Sequence, residues 1–113
     1  MKRITDHEPQ PGFYKRRFVR GGPWVPVRIW WHEAARDESG DLLEDEDFRC
    51  EVSGEPANAY DQWVKLMPVP AEIDETEYNY LLRLGGWARE HAPADPYADP
   101  KRSIDLNQAP TLF

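Results

Sequence analysis

The stretch Phe13-Tyr14-Lys15-Arg16-Arg17-Phe18-Val19-Arg20-Gly21-Gly22-Pro23-Trp24-Val25-Pro26-Val27-Arg28-Ile29-Trp30-Trp31 decides the fold. Its aromatic and β-branched residues favour extended backbone, and the glycine pair divides it in two. Residues 13–20 read as one strand and residues 24–31 as the next. Gly21-Gly22 is expected to make a tight hairpin connection, because glycine tolerates the positive φ such turns demand. Period-two alternation puts Val25, Val27, Ile29 and Trp31 on one face, with Trp24, Pro26, Arg28 and Trp30 on the other. Pro26 lacks an N–H, which predicts an edge strand or a bulge there.

Working outward, residues 36–47 are rich in Asp and Glu and turn at Glu38-Ser39-Gly40-Asp41, with Leu42 and Leu43 as apolar anchors. Phe48-Arg49-Cys50-Glu51-Val52 alternates as a third strand with Phe48, Cys50 and Val52 inward, and Ser53-Gly54-Glu55-Pro56 ends it. Asn58 reads as the N-cap of a helix over 58–67 that buries Tyr60, Trp63, Val64 and Met67 before Pro68 and Pro70 stop it. Asp74 with Glu77 three residues on starts a second helix over 75–91. Its apolar face is expected to hold Tyr80, Leu84, Trp87 and His91, flanked by Leu81 and Ala88. Gly85-Gly86 inside it suggests close approach of another backbone near Leu82, Gly85, Gly86 and Arg89.

The expected architecture is α+β. A small antiparallel sheet of three or more strands from residues 13–52 packs against helices 58–67 and 75–91. One domain spans residues 1–113, with a loose arm at 1–11 and an extended proline-rich tail at 93–113 ending in Ile104-Asp105-Leu106 and Leu112-Phe113. The core candidates are Val27, Ile29, Trp31, Phe48, Val52, Trp63, Leu84 and Trp87.

Composition narrows the function. A chain of 113 residues suits one domain, and its five Trp, five Tyr and four Phe supply most of the core mass. Cys50 is the single cysteine, so no internal disulfide forms, as expected of a reducing cytoplasm. No apolar run follows the basic start, and none is long enough to span a bilayer, so neither a signal peptide nor a membrane segment is expected.

Catalytic and metal-binding motifs are weak. His7, His32 and His91 lie on separate elements and no Cys/His pair has ligand spacing, so no metal or other cofactor is expected. The acidic run lacks the oxygen spacing and central glycine of a calcium loop. Cys50 falls on the apolar face of a strand, where cysteine acts as filler. No nucleophile elbow, dinucleotide-binding glycine pattern or phosphate loop occurs. The chain is expected not to be an enzyme.

Charge is the strongest functional signal. Residues 1–36 carry a net +5, residues 37–77 a net −12, and residues 78–113 balance, giving −7. Folding alone does not require such a split, so it points to surfaces used for partners. Glu44, Asp45, Glu46, Asp47 and Glu51 form one candidate contact, able to enter a basic groove on a protein. Lys15, Arg16, Arg17, Arg20 and Arg28 with Trp24 and Trp30 form the other, able to contact phosphates and stack bases. Pairing of these arginines with the acids of 37–51 would remove the second surface.

The segment Pro11 to Ile29, centred on Phe13-Tyr14-Lys15-Arg16-Arg17-Phe18, resembles the opening of small, mostly uncharacterised proteins of proteobacterial phages and prophages. Pro100-Lys101-Arg102-Ser103-Ile104-Asp105-Leu106-Asn107 resembles their endings. The resemblance brings no catalytic residues with it. It implies a non-enzymatic protein in the bacterial host cytoplasm that binds and inhibits a host protein or ribonucleoprotein. By analogy of size and charge alone, that includes anti-CRISPR proteins that block a Cas effector. The alternative expectation is a nucleic-acid-binding accessory protein of phage replication or packaging.

Overall fold

A computed structural model describes residues 8–101. Its seven elements are β1 (Gly12–Arg16), β2 (Val25–His32), β3 (Asp47–Val52), β4 (Glu55–Ala57), α1 (Ala59–Leu66), β5 (Ala71–Ile73) and α2 (Glu75–His91). The fold is α+β, with one antiparallel five-stranded sheet in the order β4-β3-β2-β1-β5. Both edge strands are three residues long, and Pro56 sits in one of them.

The two helices cover opposite faces of the sheet. Tyr14, Val27, Ile29 and Cys50 share one face and form the main core with Ala59, Trp63 and Leu66 of α1. Tyr14 meets Trp63 edge-on at 5.7 Å, and its hydroxyl donates to the Gln10 carbonyl at 2.7 Å. On the other face Phe13 packs on Tyr78 of α2 at 4.9 Å, and Lys15 pairs with Glu77 at 3.0 Å. The N-caps are as the sequence predicts. Asn58 accepts from the Asp61 N–H, and Asp74 accepts from the Glu77 N–H.

Several expectations are corrected. β1 stops at Arg16, and eight residues, 17–24, join it to β2 instead of a tight turn. Gly21 (φ 73°) does take the left-handed conformation, and the Gly22 N–H bonds the Val19 carbonyl. Pro26 lies in the central strand rather than at an edge. Its carbonyl accepts from the Ser53 N–H, so its nitrogen faces the same side, just past the end of β3, where no ladder bond is lost. The tight turn occurs instead at Ser53-Gly54, both with positive φ, and it leads into β4, which the sequence reading took for a terminus.

Helix faces are rotated from those expected. α1 buries Ala59, Trp63 and Leu66, a regular i, i+4, i+7 stripe, and leaves Tyr60 and Val64 exposed. α2 buries Tyr78, Leu81, Gly85 and Ala88, so Tyr80 and Trp87 face outward, with Leu84 half-buried. Trp87 meets His91 in a tilted ring contact at 5.3 Å. Trp31 is 44% exposed, because β1 begins opposite Ile29 and leaves the end of β2 uncovered on that side. Leu42 and Leu43 anchor nothing and are exposed.

Gly85 does lie against other parts of the chain, near the Tyr97 carbonyl and the Ser53 hydroxyl, whereas Gly86 borders open space. Residues 93–101 form successive turns rather than an extended tail. Pro9 is buried, so residues 8–11 are no loose arm. The expectations for residues 1–7 and 102–113, including His7, Ile104, Leu106, Leu112 and Phe113, lie outside the described residues.

Candidate functional site

β2 runs from Val25 to His32, roughly 23 Å at about 3.3 Å per residue. The acidic cluster of the sequence collects at its His32 end, whereas the basic residues are spread over both faces of the sheet.

At the His32 end, residues 33–46 join β2 to β3. Their backbone is bonded into a short ribbon. Arg36 bridges Leu42, the Leu43 N–H bonds the Ala35 carbonyl, and the Asp37 N–H bonds the Asp41 carbonyl. The Asp37 carboxylate accepts from the N–H groups of Ser39 and Asp41, which closes the tip. Three acids are paired locally: Glu44 with His32 at 2.9 Å, Glu46 with Arg36 at 3.4 Å, and Asp47 with Arg49. The His32 hydrogen bond and charge hold the Glu44 carboxyl below its ordinary range.

Glu44, Asp45 and Asp47 line a cleft of about 590 Å³ whose walls include Phe48, Tyr60 and Arg49. An edge-on aromatic row, Trp31 to Phe48 at 5.0 Å and Phe48 to Tyr60 at 6.2 Å, runs beside it. Trp31 and Tyr60 (47%) are both half-exposed. Three of the five predicted acids, Glu44, Asp45 and Asp47, thus share the cleft, and Glu46 pairs with Arg36 outside its lining. Glu51 is not among them. It stands directly across from Arg28 on the face that carries α2. The aromatic part of this surface was missed from sequence because Trp31 and Tyr60 were assigned to the core. The available signal was Pro9 and Pro11 before Gly12, which limit how far β1 can run opposite the end of β2.

The basic hairpin does not form one surface. Arg16 points to the α1 face, where it donates to the Gln62 side chain at 2.8 Å and lies over Phe18 at 4.7 Å. Lys15 and Arg17 both sit on the Trp24 ring, at 4.8 and 4.1 Å. Arg28 lies over Trp30 at 4.7 Å. Trp24 and Trp30 are therefore already covered by cations of the same chain. Arg20 is exposed at the 17–24 connection. Among the described residues no ion pair joins these cations to 37–47; those acids pair with His32, Arg36 and Arg49 instead.

Groups that could do covalent chemistry are poorly placed. Cys50 is buried, and burial, reinforced by Glu51, pushes its thiol up to about 11. Burial, reinforced by Glu72, pushes the Tyr14 hydroxyl up to about 12. Among the described residues no His/Cys/Asp/Glu group could hold a metal ion, and no helix is long and apolar enough to cross a membrane. The fold and this end of the sheet together describe a small α+β protein with an acidic, aromatic-walled cleft. Comparison with protein-family models, curated proteins and solved structures found no match to this chain.

Proposed function

We propose that this chain is a non-enzymatic binding protein that captures a cationic surface of a protein partner at the His32 end of its sheet. The observation that carries this reading is the cleft that sets Glu44, Asp45 and Asp47 beside the half-exposed rings of Phe48, Tyr60 and Trp31. Carboxylates take an Arg or Lys head group, and rings take its stem or its face. Half-exposed aromatics amid polar neighbours are the usual anchors of protein interfaces. The bonded 33–46 ribbon also supports the reading, since a preordered contact loses less entropy on binding than a loose acidic loop.

The resemblance to phage and prophage proteins extends the proposal to inhibition. A basic groove that normally holds nucleic acid, as in a Cas effector of the bacterial host, is the kind of partner this surface suits. The nucleic-acid reading ranks below it, because Trp24 and Trp30 are capped by Lys15, Arg17 and Arg28.

The test is capture of partners from host lysate with the tagged protein, with and without nuclease, alongside the variant Glu44→Gln/Asp45→Asn/Glu46→Gln/Asp47→Asn. A protein partner that survives nuclease and is lost with the variant is the expected result. Its binding should weaken as salt rises, since screening shortens from about 8 Å at physiological ionic strength to about 3 Å at 1 M. Recovery of nucleic acid alone, or equal capture by the variant, would overturn the proposal.

A further inference from the structure

The opposite end of the sheet holds a second cleft, of about 550 Å³. Arg16, Lys65, Arg89 and Lys101 line it, with Glu55 and Asp99 as its acids. These cations come from four separate parts of the chain: a strand, the last turns of both helices, and the 93–101 turns. Nothing in the sequence places them together.

Two of the four have an ordinary structural account. Lys65 and Arg89 sit in the last turns of their helices, where a positive charge suits the helix dipole. Arg16 and Lys101 do not. Arg16 is half-buried on a strand and hydrogen-bonded to the neutral Gln62 amide, and burial lowers its pKa. Lys101 lies over the same Phe18 ring as Arg16, at 5.7 Å. The fold thus draws two like charges onto one ring and desolvates one of them. With four cations against two acids, the lining favours an anionic ligand.

We infer that this cleft binds a phosphorylated small molecule of nucleotide size through Arg16, Lys65, Arg89 and Lys101. Its volume lies within the ordinary range of small-molecule sites. A planar guanidinium held by Gln62 and Phe18 is already oriented to take two phosphate oxygens. The three exposed cations around it supply attraction at longer range. The acidic cleft lies at the other end of α1 and shares only Ala57 with this one, so none of the four cations belongs to it.

The experiment is titration of the full chain with pyrophosphate, ADP and adenosine, by calorimetry and thermal melting. Pyrophosphate and ADP should bind and raise the melting temperature, and adenosine should do neither. Arg16→Gln should weaken binding about tenfold, the loss expected for one hydrogen bond to a charged group. Arg16 is partly buried and its variant could unfold, so Lys65→Gln/Lys101→Gln, both exposed, gives a second reading and should weaken binding by at least a similar factor. Arg28→Gln, which lines neither cleft, should bind like the parent. Absence of binding by either phosphate, equal binding of adenosine, unchanged binding in the Lys65/Lys101 variant, or an equal loss in Arg28→Gln would each overturn the inference.

Discussion

Gly86→Ala should stabilise this protein, although a Gly-Gly pair in a helix reads as a sign of crowding. Gly86 lies inside α2, and a Cβ built there meets nothing within 4 Å. The substitution therefore adds only the helix propensity difference, about 0.8–1 kcal/mol in favour of Ala. For a domain near this size that raises the melting temperature by about 4–8 °C. Gly85→Ala should also be tolerated, because its Cβ would find Arg89 Nη1 at 3.5 Å and the Tyr97 carbonyl at 3.9 Å, both ordinary contacts. Gly54→Ala is the internal contrast. Its nearest neighbour would be Leu82 Cδ2 at 3.7 Å, again no clash, but its φ is +83°. An L-residue there costs about 1–2 kcal/mol from the backbone alone. Urea titrations followed by circular dichroism measure all three, provided the m-value is unchanged. If Gly86→Ala lowers the midpoint, or Gly54→Ala raises it, the placement of α2 against the Ser53-Gly54 turn is wrong.

Trp63→Ala should cost about 3–5 kcal/mol, because the ring is 2% exposed and central to the α1 core; a loss below about 1 kcal/mol in urea would refute that packing. Tyr14 is held at about 12 in the folded state against about 10 unfolded. Its contribution is complete below pH 10 and is lost as pH rises through about 12, because the unfolded chain releases the proton first. Tyr14→Phe should flatten that part of the stability curve, and an unchanged slope would exclude the burial effect. The Cys50 thiol should resist a water-soluble thiol reagent in the folded protein and react quickly in urea; fast labelling of native protein would contradict its burial.

Local signals in the sequence marked the helices well, and long-range ones poorly. Asn58 and Asp74 capped α1 and α2 as read, since a cap depends on residues within one turn. The buried faces were misjudged because aromatic residues weighed most heavily. Tyr60, Tyr80 and Trp87 are large enough to dominate a periodicity count, yet the small residues Ala59, Gly85 and Ala88 are the ones buried. β4 and β5 are not legible because a three-residue strand, one containing Pro56 and the other following Pro70, has no period to detect. Glu44 to Asp47 were legible as one cluster because they adjoin in sequence. The basic cleft was illegible, since Arg16, Lys65, Arg89 and Lys101 meet only through the tertiary fold.

The sheet ends on both sides in a three-residue strand, one of them carrying Pro56. A visiting chain that tried to extend the sheet would find only a few backbone donors and acceptors in register, and at Pro56 one donor fewer. Recognition by strand addition, which reads backbone and is indifferent to most side chains, is thereby discouraged. Side-chain contacts, such as those the two clefts at the ends of the sheet offer, are the route this architecture leaves open. Either cleft can be altered by single substitutions while the five strands between stay as they are.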